Sequence, residues 1–218
     1  LLLERVLWES QVFVDGVFIG KQDGLGTPHR HNLGQLSVGD HKLSLRINND
    51  MIHNIGDKGH AYGEYMQSIW NGVVGKIELQ VRNPIHIKQI RTFPEPAYNR
   101  LRVEIHTKNP GGEELNYLVK IREKESGRII HSLEHQTNLE VFEISMAPEN
   151  EVKAWSEFNP FMYELVVKII SDKQSDESVS SFGFISIGKN QHHVLINNDP
   201  VFLRGNLDCI HFPLTGYP

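Results

Sequence analysis

The chain has little cysteine, no excess of positive charge and no long apolar run. A single cysteine among 218 residues, Cys209, excludes an internal disulfide framework and a multi-cysteine zinc site. The redox compartment stays open, because an exported protein can also lack disulfides. Lys and Arg number 22 against 27 Asp and Glu, a formal net charge of −5, so there is no basic stripe for a phosphate backbone and nucleic acid is a poor first ligand. No apolar run approaches the roughly 18 residues that cross a bilayer, and the opening residues do not read as a basic-then-apolar export signal. Helical periodicity is missing as well: no window of about 11 residues or more repeats its apolar positions every third and fourth residue.

Period two is what remains. Leu43, Leu45 and Ile47 alternate with polar neighbours, as do Ile77, Leu79 and Val81; Leu101, Val103 and Ile105; Leu115, Tyr117, Val119 and Ile121; and Tyr163, Leu165, Val167 and Ile169. Successive side chains of a strand point to opposite faces, so each run predicts a half-buried strand and the chain as a whole predicts an all-β fold of packed sheets. Between Leu139 and Met146 the phase slips, with Leu139 and Val141 on one parity and Phe142, Ile144 and Met146 on the other, which predicts a β-bulge. Asp15-Gly16 inside Val12–Ile19 predicts a tight hairpin, and Val194–Leu203 around Asn197-Asn198 predicts another. Pro110-Gly111-Gly112 and Ser126-Gly127 are further turns.

Boundaries fall at Asn83-Pro84 and near Gly188. Residues 84–188 hold about seven strand-like runs, the content of an immunoglobulin-like β-sandwich. Residues 1–83 have too few strands to close a sandwich alone and are expected to need strands from before Leu1. Residues 189–218 form a hairpin followed by a loop. The chain opens inside a strand-like pattern without Met and stops at Tyr217-Pro218, so it reads as a piece of a longer polypeptide.

Several side-chain sets could carry chemistry. His29 and His31 share a strand face as a possible metal pair, against turn hydrogen bonds, and no third ligand has a diagnostic spacing. His192-His193 would point to opposite faces if extended. Cys209 and His211 could be a nucleophilic pair, but no orienting group accompanies them, and a buried thiol is the better reading. Trp8 and Trp155 are read as core, while Trp70 stands equally as a sugar-stacking ring. Glu64 is the acid in the most polar and aromatic surroundings. No pair of carboxylates sits in a recognisable glycosidase motif.

Seven segments together resemble the glycoside hydrolases of family 2, which include β-galactosidases, β-glucuronidases and β-mannosidases. They are Glu4–Gly16, with Trp8 and the Val-Asp-Gly turn; Thr27-Pro28-His29; Gly39–Asn49; Trp70-Asn71-Gly72-Val73-Val74-Gly75-Lys76-Ile77-Glu78-Leu79; Trp155–Leu165; Ser181-Phe182-Gly183-Phe184; and Ile196–Gly205. Each motif is weak alone, but all seven occur in the family's order. The resemblance implies a partial jelly-roll sugar-binding domain at 1–83, the immunoglobulin-like domain at 84–188, and at 189–218 the hairpin and first strand of a (β/α)8 catalytic barrel. It implies that both catalytic glutamates lie outside the chain, so no catalytic residue is assigned here. The parent would be a retaining exo-glycosidase acting on a terminal, β-linked sugar, without cofactor or metal. It would take carbohydrate as its partner, with export favoured and oligomerisation open.

The resemblance also implies that the jelly-roll loop and the segment after Arg204-Gly205 border one sugar site. Glu64, Gln67, Trp70, Asn71, Asp208 and His211 are the candidate substrate contacts. Three departures stand out. Cys209 takes the place of a site histidine, Asn198 that of a turn glycine, and Ile185 that of an arginine. The alternative reading is a non-enzymatic β-sandwich module of a surface protein that binds carbohydrate or protein.

Overall fold

A computed structural model describes residues 1–24, 26–54, 71–171 and 174–205. Every described element is a strand except a single 3-10 turn at Pro96–Tyr98, so the chain is all-β. The described residues form two units, Leu1–Val81 and Arg82–Arg204.

The first unit contains β1 (Leu2–Leu3), β2 (Val6–Leu7), β3 (Glu9–Val14), β4 (Val17–Asp23), β5 (His29–Arg30), β6 (Leu43–Asn48), β7 (Gly72–Val73) and β8 (Ile77–Glu78). These make two three-stranded antiparallel sheets, β4-β3-β6 and β5-β1-β8, and the pair β2-β7. Asp15 and Gly16 turn the β3–β4 hairpin with φ of 50° and 83°, the two positive values that a two-residue hairpin of this hand needs. Leu3, Val6, Leu7, Trp8, Val12 and Val14 form the buried side. Trp8 is therefore core, as the sequence reading expected. Ile77, Leu79 and Val81 depart from the expected half-buried strand. Only Ile77 and Glu78 pair, and the three apolar side chains are exposed, because no described strand covers them.

The second unit contains β9 (His86–Glu95), β10 (Arg100–Lys108), β11 (Leu115–Glu123), β12 (Ile129–Thr137), β13 (Val141–Met146), β14 (Tyr163–Ile170) and β15 (Ser175–Phe182), followed by β16 (Ile187–Lys189), β17 (Val194–Ile196) and β18 (Asp199–Pro200). The first seven strands make a three-stranded sheet, β13-β10-β9, and a four-stranded sheet, β12-β11-β14-β15. Every second residue of the central strands faces the space between the sheets. Leu101, Val103 and Ile105 meet Tyr117, Val119, Ile121, Leu165, Val167 and Ile169 in one apolar cluster. Burying each such side chain is worth about 1.5–3 kcal/mol before entropy is charged against it. The sandwich follows from the alternation itself.

The expected bulge near Leu139 is absent from β13. That strand pairs with β10 without a break from Leu101↔Met146 to His106↔Val141. Leu139 and Val141 are exposed, so the change of phase marks where the strand begins. The irregularity lies instead on the β9 side of β10, between His106 and Thr107, where the Thr107 N–H donates to Glu140 O at 2.7 Å.

Strands β16, β17 and β18 form a small meander. Its turn residues Asn197 and Asn198 have φ of 50° and 70°. Asparagine is the side chain that tolerates this region best after glycine, which explains how Asn198 holds a φ of 70°. The Asn197 amide also ties the turn down. Its Oδ1 accepts the Ser186 N–H at 2.8 Å, and its Nδ2 donates to Trp155 O at 2.8 Å. Trp155 is half-buried and packs on Gly183, where a Cβ would fall 3.0 Å from Trp155 Cβ.

Candidate functional site

Glu64, Gln67, Trp70, Asp208 and His211 lie outside the described residues, as does Cys209. Asn71 is described, and its surroundings define the candidate site. Pairing of β3 sets Glu9 opposite Asp23 of β4 and Asn48 of β6, so those residues share one end of the sheet. Trp8 continues this end: its N–H donates to Asn48 O at 2.8 Å, and its carbonyl accepts the Gly24 N–H at 3.2 Å. Pairing of Leu7 with Gly72 brings Asn71 to the same end, where the Asn49 side-chain amide donates to Asn71 Oδ1. The His53 ring centroid lies 6.1 Å from that of Trp8, and His53 Nε2 lies 3.4 Å from Asp23 Oδ2.

The result is an exposed polar rim above a buried indole. Asp23, Asn49, His53 and Asn71 are all exposed, whereas Trp8 is 3% exposed. Carboxylate, amide and imidazole groups in such an array suit paired hydroxyls, which both give and take hydrogen bonds. Sequence reading selected Asn71 and missed Asn49, His53 and Asp23. Their juxtaposition depends on strand pairing between distant segments, Glu9 with Asn48 and Leu7 with Gly72, and only the tandem Asn48-Asn49-Asp50 at a strand end hinted at it.

A general acid needs a raised pKa, and every shift resolved for a described carboxylate is downward. Lys21 and then Gln11 hold Glu9 down, His41 holds Asp15, His106 holds Glu104, Arg128 holds Glu123, and the Asn109 N–H holds Glu140. Asp15, His41 and Ser37 superficially suggest a charge-relay set. However, His41 Nε2 meets the Ser37 carbonyl at 2.9 Å and Nδ1 meets Asp15 Oδ2 at 2.7 Å. Both acceptors call for N–H, so the ring is a cation held by Asp15, with its pKa raised, and cannot act as a base toward Ser37.

The histidine pairs take other roles. His29 and His31 do share a face, but that face is interior and both rings bond Ser10. Among the described residues no three His, Cys, Asp or Glu side chains gather as a metal set. His192 and His193 sit side by side, with ring centroids 6.3 Å apart, because both backbone N–H groups donate to Asn190 Oδ1 and bend the chain.

The profile of the Glycosyl hydrolases family 2 matches residues 85–184, the whole two-sheet sandwich. The chain is 24% identical over 226 residues to a β-galactosidase of Thermoanaerobacterium thermosulfurigenes, with 98% of this chain and 31% of that protein covered. It is 22% identical to a β-galactosidase of Thermoanaerobacter pseudethanolicus, with 98% of this chain and 29% of that protein covered. The chain thus spans about a third of the length of these curated relatives. Among solved structures, a β-glucuronidase of Bacteroides uniformis has the same fold, with a TM-score of 0.73 at 17% identity, covering 99% of this chain and 28% of that one. A β-glycosidase of Bacteroides vulgatus gives 0.70 at 18% identity, covering 92% and 25%.

Proposed function

We propose, from the match of residues 85–184 to the profile of the glycosyl hydrolases of family 2, that the chain supplies the non-catalytic β domains of an exo-glycosidase of that family. The parent cleaves terminal, β-linked sugars with retention, using two carboxylates that this chain does not contain. The observation that carries the reading is the pairing of that family match with coverage of 98% of the chain by β-galactosidases. Residues 1–83 act as the jelly-roll part, 84–188 as the immunoglobulin-like spacer, and 189–218 as the entry to a catalytic barrel.

Glu64, Gln67, Trp70, Asn71, Asp208 and His211 contact the sugar in this reading. Support comes from the exposed polar end of the first unit, where Asn71 sits with Asn49 and His53 flanks the 55–70 segment. The reading frame that encodes the chain tests the assignment. A barrel carrying a glutamate pair beyond Pro218 supports it, and a stop codon or a run of further sandwiches overturns it.

A further inference from the structure

The least expected chemistry among the described residues is buried between β3 and β5. Ser10, His29 and His31 are 0%, 1% and 5% exposed. Ser10 Oγ lies 2.7 Å from His29 Nδ1 and 2.8 Å from His31 Nε2, and His29 Nε2 lies 3.0 Å from Gly24 O. These contacts fix the direction of every bond. A carbonyl only accepts, so His29 Nε2 carries hydrogen, and Nδ1 of the neutral ring accepts from the Ser10 hydroxyl. That hydroxyl has one hydrogen, now used, so Ser10 Oγ accepts from His31 Nε2–H. The donors run one way, from His31 through Ser10 and His29 to Gly24, with both rings neutral.

One added proton can be absorbed. If His29 Nδ1 gains hydrogen it donates to Ser10, Ser10 donates to His31 Nε2, and the neutral His31 ring changes tautomer, its hydrogen moving from Nε2 to Nδ1. A second proton cannot be absorbed. Two ring N–H groups would then face one hydroxyl whose own hydrogen has no acceptor, and two buried cations would sit within a few ångströms of each other.

We propose that Ser10, His29 and His31 form an acid-released latch that holds β5 against β3, and that protonation of both rings frees β5 and His31. The surrounding charges do not cancel the effect. On β4, Asp23 favours a proton on His29 and is shared with His53. On β5 itself, Arg30 points outward, with its backbone N–H on the Gln22 side chain. Beside Ser10, Glu9 and Lys21 pair with each other at 2.9 Å. Next to β1, the Leu1 amino group donates to His31 O at 2.8 Å and disfavours a charge on that ring. Burial is the leading cause for both rings and holds them below the ordinary histidine range. The folded pKa values are depressed, so the latch is at full strength above the free value of about 6.5 and weakens as pH falls below it.

The test is nitrogen NMR of the imidazoles in the whole chain, with amide hydrogen exchange followed from pH 7.5 to 5. At pH 7.5 both rings should be Nε2–H tautomers. The protection factor of the His31 amide, which donates to Leu1 O at 2.9 Å, should fall tenfold per pH unit below about 6 if opening takes up one proton, and a hundredfold if it takes up two. Val119 in β11 should keep its protection throughout. His31→Gln retains a donor to Ser10 and removes one titrating ring, so its protection should fall less steeply with pH. A His31 protection factor that is flat with pH, rings that titrate near 6.5 in the closed protein, or loss of Val119 protection in step with His31 would each overturn the latch.

Discussion

Gly75 occupies a position where one added carbon has nowhere to go. Its N–H donates to Glu4 O at 2.9 Å, and a Cβ there would lie 2.6 Å from Glu4 Oε2 and 2.8 Å from Glu4 Cβ. Glu4 cannot simply swing away, since its own N–H is bonded to Lys76 O and its carboxylate accepts the Lys76 N–H. Gly75→Ala should therefore cost about 1–3 kcal/mol, the range for overpacking, seen as a lower denaturant midpoint for the first unit. The proposed sugar contacts make a second residue-level prediction. In the full-length polypeptide, Glu64→Gln and Asp208→Asn should each lower kcat/KM by roughly fivefold to a hundredfold, the loss expected when a buried hydrogen-bond partner worth about 1–3 kcal/mol is removed. If both variants match the parent within twofold, the pocket assignment fails. Single residues were legible in the sequence where one rule decides them. The Asp15-Gly16 turn is one such place, and the buried sides of β10, β11 and β14 are others. Ser10 was not legible, because its role depends on two histidines 19 and 21 residues away that meet it only once β5 folds over β3.

The β11–β12 hairpin shows what elements add. Glu123 ends β11 and is 8% exposed, and across the turn it accepts from Arg128 and from the Ser126 hydroxyl. Arg128 and Ser126 hold its pKa at about 2, against an ordinary 4.5. A depressed pKa means that the hairpin's contribution is fully present above pH ~4.5 and is lost as pH falls toward 2. Glu123→Gln should flatten the acid limb of the stability curve in that window. Arg128→Met should move the acid midpoint upward, and equilibrium unfolding at several pH values measures both. An unchanged acid limb in both variants would contradict the pairing. At this scale the sequence showed the strands but not all of their boundaries. The slip at Leu139 looked like a bulge because parity alone cannot tell an extra residue from a strand that has not yet begun. The exposed Ile77, Leu79 and Val81 looked half-buried because alternation reports which face is apolar and says nothing of what covers it.

At the scale of the whole molecule, the second unit has its own core, and residues 82–204 should fold alone with a cooperative unfolding transition. A gradual transition, or loss of near-ultraviolet dichroism in the isolated piece, would contradict this. The sandwich was the most legible part of the chain, since its central strands β10, β11 and β14 are long and alternate strictly, and residues 85–184 are where the family profile matches. The first unit was less legible because five of its eight strands are only two residues long and are set by pairing across distant segments. The central claim is that this chain shapes a sugar site without performing the chemistry. Release of nitrophenol from aryl β-galactosides and β-glucuronides, by the purified 218-residue chain and by the full-length polypeptide side by side, tests that claim most directly. The account predicts turnover by the full-length polypeptide and none by the chain alone, whereas release by the chain alone that disappears on substituting one of its own glutamates would contradict it.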